Sequence, residues 1–171
     1  MTVVCTRIYS DRIEIASDTQ ISRGSVWDKD DNPKKQFKDY SKIIEINGIV
    51  FWGAWYLEDI LRLKSFCKTN NPKSAITDDI EDFFVKFYDY SKKINNEFKA
   101  RSSFIFIYKS KVFLIMEYFV CEIEEYTSIW CWMYHSNTAL YLWEDVKKAV
   151  EVSKHFAWGV GGETHFKSIK K

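Results

Sequence analysis

No charge of one sign dominates this chain of 171 residues. Its 25 basic and 24 acidic side chains nearly cancel, so it carries neither a global basic field for nucleic acid nor an acidic tail. Cysteine is sparse: Cys5, Cys67, Cys121 and Cys131 stand singly, with no Cys-x-x-Cys pair and no secretory leader ahead of the first strand. That pattern predicts a reduced, intracellular protein. Long hydrophobic runs are missing as well, because Lys, Glu, Asp or Arg interrupts each one before the roughly 20 residues that span a bilayer. The expectation is a soluble, cytoplasmic protein with no membrane partner. His135, His155 and His165 lie far apart without Cys or carboxylate partners at ligand spacing, so neither a metal nor a cofactor is expected. Glycine is rarer than tryptophan, 6 against 7. Its one cluster, Gly159-Val160-Gly161-Gly162, follows a helical stretch instead of opening one, which predicts a turn and not a phosphate-cradling loop.

What the chain does have is apolar and aromatic content, 46% and 18%, enough to bury a full core as one domain over residues 1–171. Strand signals come first, at residues 2–7 and 12–16, then at 42–46 and 49–52 around the hairpin signal Asn47-Gly48. The polar stretch 24–39, with Asp28, Lys29, Asp30, Asp31, Asn32 and Pro33 in succession, reads as an exposed loop. Leu57, Ile60, Leu61 and Leu63, then Ile80, Phe83, Phe84, Phe87 and Tyr90, recur at helical spacing and predict helices over 57–67 and 78–98. Strands return at 103–108 and 112–119, with 120–126 continuing as another. A last helix over 145–156 and a short strand over 164–169 complete the order. One-sided helices need a sheet to cover, so the plan is a layered α+β sandwich without internal repeats.

The N-terminal end carries the chemistry. Removal of Met1 makes Thr2 the first residue, with a hydroxyl nucleophile and an α-amine together, and an amine of pKa about 7.7–8.0 serves as base near neutral pH. Conversely, a retained Met1 turns that amine into an amide and blocks the nucleophile.

These features resemble the proteasome-like N-terminal-nucleophile (Ntn) hydrolases, that is, proteasome β-subunits and the bacterial and phage peptidases of that type. The resemblance covers nearly the whole chain. It is carried by Thr2-Val3-Val4, by Ile15-Ala16-Ser17-Asp18-Thr19-Gln20, by Ser41-Lys42-Ile43-Ile44-Glu45-Ile46, and by Ala139-Leu140 followed by Asp145-Val146-Lys147-Lys148-Ala149-Val150-Glu151-Val152. It implies a four-layer αββα sandwich and a catalytic set of Thr2 as nucleophile, Asp18 as buried acid and Lys42 as the lysine of the third strand. Lys42 as an ammonium beside Thr2 would lower the pKa of its hydroxyl and amine, with Asp18 holding Lys42 in place. The oxyanion donor falls on the backbone N–H of Trp55 or of Gly53, depending on register. Where the family has a Gly-Ser-Gly turn whose serine supports the nucleophile's amine, this chain reads Trp130-Cys131-Trp132-Met133-Tyr134-His135-Ser136. Met133 or Ser136 then takes the serine's place.

By resemblance, the expected function is a threonine-type endopeptidase in a self-compartmentalising homo-oligomeric ring, acting on peptides or unfolded protein. An ATP-dependent unfoldase is the implied partner. The alternative is a catalytically degenerate member serving as a structural or interaction subunit. It is motivated by Trp55 and by the altered serine turn.

Overall fold

The computed structural model describes residues 2–22, 35–36, 41–54, 56–129, 133–157 and 160–171. In chain order the first half contains β1 (Val4–Ile8), β2 (Arg12–Asp18), β3 (Ile21–Ser22), β4 (Lys35–Gln36), β5 (Ile44–Ile46), β6 (Ile49–Ala54), α1 (Leu57–Phe66) and α2 (Thr77–Ile94). The second half contains β7 (Ser103–Tyr108), β8 (Lys111–Met116), β9 (Phe119–Ile123), β10 (Tyr126–Ile129), α3 (Met133–Tyr141), α4 (Val146–Phe156) and β11 (Thr164–Lys170).

Alternation along β1 and β2 separates two cores, since successive strand side chains point to opposite faces. Val4, Ile13 and Ile15 face a large cluster that also contains β6, β7, α1 and α2. Val3, Cys5 and Ala16 face a smaller one with Ala139, Leu140, Val146, Ala149 and Val150 of α3 and α4. The first sheet runs β10-β1-β2-β11 and the second β5-β6-β7-β8-β9, with every neighbouring pair antiparallel. Helices α3 and α4 pack on the first sheet, α1 and α2 on the second, and the sheets meet through β1 with β6 and β10 with β7. The architecture is therefore the α+β, four-layer αββα sandwich that the resemblance implies.

The second layer pair is held by rings. Phe83, Phe84 and Phe87 of α2, spaced at one helical face, contact Phe66 of α1 and Phe104 and Phe106 of β7, with ring centroids 5.2–6.3 Å apart. Such pairs contribute about 0.5–1.5 kcal/mol each beyond the burial of apolar area. Asp78 and Asp79 sit in the first turn of α2 and Lys92 and Lys93 in its last, each complementing the helix dipole.

The structure differs from the sequence reading at four places. Lys35–Gln36 pairs with Ile21–Ser22, so part of the stretch read as a loop is a strand; residues 23–34 and 37–40 lie outside the described residues. Helix α2 ends at Ile94 because Asn95 is extended (φ −140°) and its side chain accepts the Glu97 N–H, an Asx turn that competes with another helical turn. The span 112–126 is two hairpin strands of the second sheet followed by a crossing to the first, where β10 pairs with β1. A left-handed Glu117 (φ 54°) closes β8 onto β9. Finally, α3 stands in the region where the sequence offers only an altered turn.

Candidate functional site

The ends of β1 and β2 nearest the N-terminus, the start of β11 and the segment before β5 converge. Val4 pairs with Ser17, which places Thr2, just ahead of β1, beside the end of β2 where Asp18 sits. Continuing the Ile44–Phe51 register two residues back brings Lys42 level with Gly53 on β6. Its ammonium therefore reaches out of the second sheet toward the first.

At the junction Lys42 Nζ lies 2.6 Å from Thr2 Oγ1 and 2.8 Å from Asp18 Oδ1. Thr2 is half-buried, whereas Lys42 and Asp18 are fully buried. Asp18 also accepts the Val3 N–H at 2.9 Å on Oδ1, and the Gln20 and Gly161 N–H groups at 3.2 and 3.3 Å on Oδ2. The Gln20 N–H in turn donates to the Gly161 carbonyl, and the Glu163 N–H to Thr19 Oγ1. A buried carboxylate with three backbone donors and one ammonium is a fixed negative centre. Burial pushes the Lys42 pKa down from the usual lysine range, and Asp18 only partly opposes that fall. Chemically, a hydroxyl held 2.6 Å from a lysine with a lowered affinity for its proton is set up as an activated nucleophile.

The structure thus brings Thr2, Asp18 and Lys42 into one hydrogen-bonded chain. Of the two candidate oxyanion donors, Trp55 lies outside the described residues. Gly53 is buried in β6 opposite Phe104, and a Cβ there would stand 2.7 Å from the Phe104 ring and 2.9 Å from Ile60. Packing alone therefore demands glycine at 53. Ser136 is in the first turns of α3, fully buried, with its hydroxyl donating to Ser128 Oγ (2.8 Å) and the Met133 carbonyl (3.2 Å). Met133 opens that helix. The sequence reading missed Gly161 as a donor to Asp18. The glycine cluster after α4 was the available signal, and it reads as a turn because a backbone N–H leaves no mark on residue type.

No protein-family model matches the sequence, and no curated protein sequence matches it. Solved structures do. Thiobacillus denitrificans BPH in complex with epoxomicin superposes with a TM-score of 0.83 at 15% identity over 98% of each chain. Anbu from Yersinia bercovieri gives 0.70 at 12% identity, over 99% of this chain and 82% of that one. HslV from Trypanosoma brucei gives 0.67 at 12% identity over 99% of each. These structural neighbours are proteasome-like Ntn hydrolases. The chain has the proteasome-like Ntn-hydrolase fold. Within that fold the junction of the two sheets carries Thr2, Lys42 and Asp18, and a long excursion between β2 and β5 precedes Lys42 without displacing it from Asp18. Among the described residues, no helix is long and apolar enough to cross a membrane and no cluster of His, Cys, Asp and Glu forms a metal site.

Proposed function

We propose that this protein is a threonine-type endopeptidase whose nucleophile, Thr2, is exposed by removal of Met1. The observation that carries the reading is the hydrogen-bonded chain from Thr2 Oγ1 through Lys42 Nζ to Asp18. In the reaction, Thr2 Oγ attacks a peptide carbonyl carbon while its proton passes to the free α-amine, directly or through a water. Lys42 orients and polarises the hydroxyl. Collapse of the tetrahedral intermediate expels the amine half of the substrate with that proton and leaves an ester on Thr2. Water then hydrolyses the ester and restores the hydroxyl. The oxyanion is stabilised by a backbone N–H of the β6 end, Gly53 or Trp55; loss of one such donor typically lowers turnover by about 100- to 1000-fold. The same reading includes a homo-oligomeric ring that restricts access to unfolded chains, with an ATP-dependent unfoldase as partner and the cytoplasm as its compartment.

A second reading, a catalytically degenerate subunit that keeps the fold as a structural or interaction module, is favoured by one feature. Among the described residues the Ser136 hydroxyl bonds to Ser128 and the Met133 carbonyl inside the fold, with no hydrogen bond to Thr2.

Intact mass and reaction with epoxomicin, the compound bound in the BPH structure, separate the two. Loss of the methionine mass, a single epoxomicin adduct and no adduct in Thr2→Ala are expected, with a native mass of several copies. Retained Met1 and no adduct would leave the degenerate subunit.

A further inference from the structure

The face of α4 turned toward β11 carries a charged cluster that the reaction above does not use. Lys154 Nζ lies 2.7 Å from Glu151 Oε1 and 2.5 Å from Thr164 Oγ1, and the Thr164 hydroxyl also donates to Glu151. The exposures of the two charged side chains differ, 13% for Lys154 against 54% for Glu151. The ammonium is thus turned into the protein while the carboxylate keeps contact with water. A lysine on an exposed helix face would extend into solvent to keep its hydration; this one is folded back and fixed at both of its visible contacts.

Where it is fixed matters. Thr164 is the cross-strand partner of Asp18 in the pairing of β11 with β2. Directly opposed residues share a face, with Cβ atoms about 4.5–5.5 Å apart. An ammonium bonded to the Thr164 hydroxyl therefore stands within one side-chain length of the Asp18 carboxylate, which is itself bonded to Lys42. Two ammonium groups then share the neighbourhood of one buried carboxylate. Like charges at that range disfavour the protonation of the more buried partner, and Lys154 adds to burial in pushing Lys42 down.

We propose that Lys154 is a positioning residue of the Thr2 site: a second ammonium, clamped by Glu151 and Thr164 behind Asp18, whose charge biases Lys42 toward its neutral form. The inference rests on the reading of Thr2, Lys42 and Asp18 as an active site, and it leaves the α-amine of Thr2 as the acceptor of the hydroxyl proton. The charged and titratable groups around the cluster are Asp18 from β2, Cys5 from β1, Lys42 from the segment before β5, and Glu151 and Lys148 on α4 itself. Lys154 and Glu151 of α4 both bond to Thr164, the partner of Asp18, and Lys154 is the cation of that pair.

The test is a pH titration of the full-length protein labelled with carbon-13 at the lysine ε position, the Lys42 signal being assigned by its loss in Lys42→Arg. Lys154→Met and Lys154→Gln are each expected to raise the Lys42 midpoint by roughly 0.5–1.5 pH units, the effect of one unit charge at this range. Lys154→Arg, which keeps the charge, is expected to leave the midpoint at the wild-type value. The use of two neutral variants guards against one of them failing to fold. An unchanged midpoint in the neutral variants, or an arginine variant that behaves like them, overturns the proposal. Epoxomicin labelling of the same samples reads the peptidase assignment independently. If wild-type protein does not label while the Lys42 midpoint moves, the peptidase reading fails and the action of Lys154 on Lys42 stands.

Discussion

At the scale of single residues the site is governed by what it costs to bury Lys42. A fully buried ammonium whose carboxylate partner is shared with three backbone N–H groups has lost its hydration for incomplete compensation, and its pKa falls for that reason. The sign of the pH effect follows from linkage. Below the folded-state pKa of Lys42, folded and unfolded chains are both protonated and the penalty on the folded state is full. Between that pKa and the unfolded value of about 10.4, the unfolded chain holds a proton that the folded chain has released. Raising the pH through this window therefore stabilises the folded state. We expect wild-type stability, measured by urea denaturation, to gain on that of Lys42→Met as the pH is raised toward about 10.4. Parallel stability curves for the two proteins would mean that Lys42 keeps its proton in the folded state. The side-chain groups of this site were legible in the sequence because Thr2, Asp18 and Lys42 have distinctive side chains in a recognisable order. The backbone donors were not, since Val3, Gln20 and Gly161 act through N–H groups that every residue but proline possesses.

At the scale of elements, legibility tracked the strength of the period. The residues of β7 were predicted without error, and the helices over 57–67 and 78–98 were found from their spaced Leu, Ile and Phe positions, with the second ending early at Asn95. Helix α3 escaped because it buries Ser136, Ala139 and Leu140 while exposing Tyr134 and Tyr141; a buried serine and two exposed tyrosines invert the apolar pattern. Strand β10 escaped because nothing in 120–126 marks the point where the chain leaves one sheet for the other. The element that bears most directly on the site is β6, where Gly53 lies level with Lys42 and beneath the Phe104 ring. A methyl group there meets that ring at 2.7 Å and Ile60 at 2.9 Å, closer than nonbonded carbons approach. Overpacking of this kind costs about 1–3 kcal/mol. Gly53→Ala is therefore expected to lower the unfolding free energy by that amount, read as a lower urea midpoint with an unchanged slope. It is also expected to slow epoxomicin labelling, because a displacement of β6 under this clash carries with it the strand end that leads to Trp55. A variant as stable as wild type would show that β6 has slack at this point.

At the scale of the whole molecule, the site lies on the seam between two cores of unequal size. The larger one joins both sheets to α1 and α2 and contains the ring cluster of Phe66, Phe83, Phe84, Phe87, Phe104 and Phe106; the smaller one joins the first sheet to α3 and α4 through Val, Ala and Leu side chains. Opening free energies within a domain range from near zero to the global stability, and they follow the density of buried apolar contacts. Hydrogen exchange should accordingly be slowest in β6 to β8, whose interior residues Phe51, Phe104, Ile105, Phe106, Phe113 and Ile115 are almost fully buried. It should be faster in α3 and along β11, an edge strand whose residues are half-buried or exposed. The consequence for the site is directional. Lys42 approaches from the side of the larger core, whereas Asp18, Gly161 and Lys154 belong to the side of the smaller one. Local opening of α4 and β11 would release the clamp on Asp18 while leaving Lys42 in place. Mass-spectrometric exchange is expected to show peptides covering 146–156 and 164–170 opening before those covering 103–116, with the epoxomicin adduct slowing exchange at the start of β11. If all these peptides instead exchange together at the global rate, the two cores unfold as one unit and the seam has no independent motion.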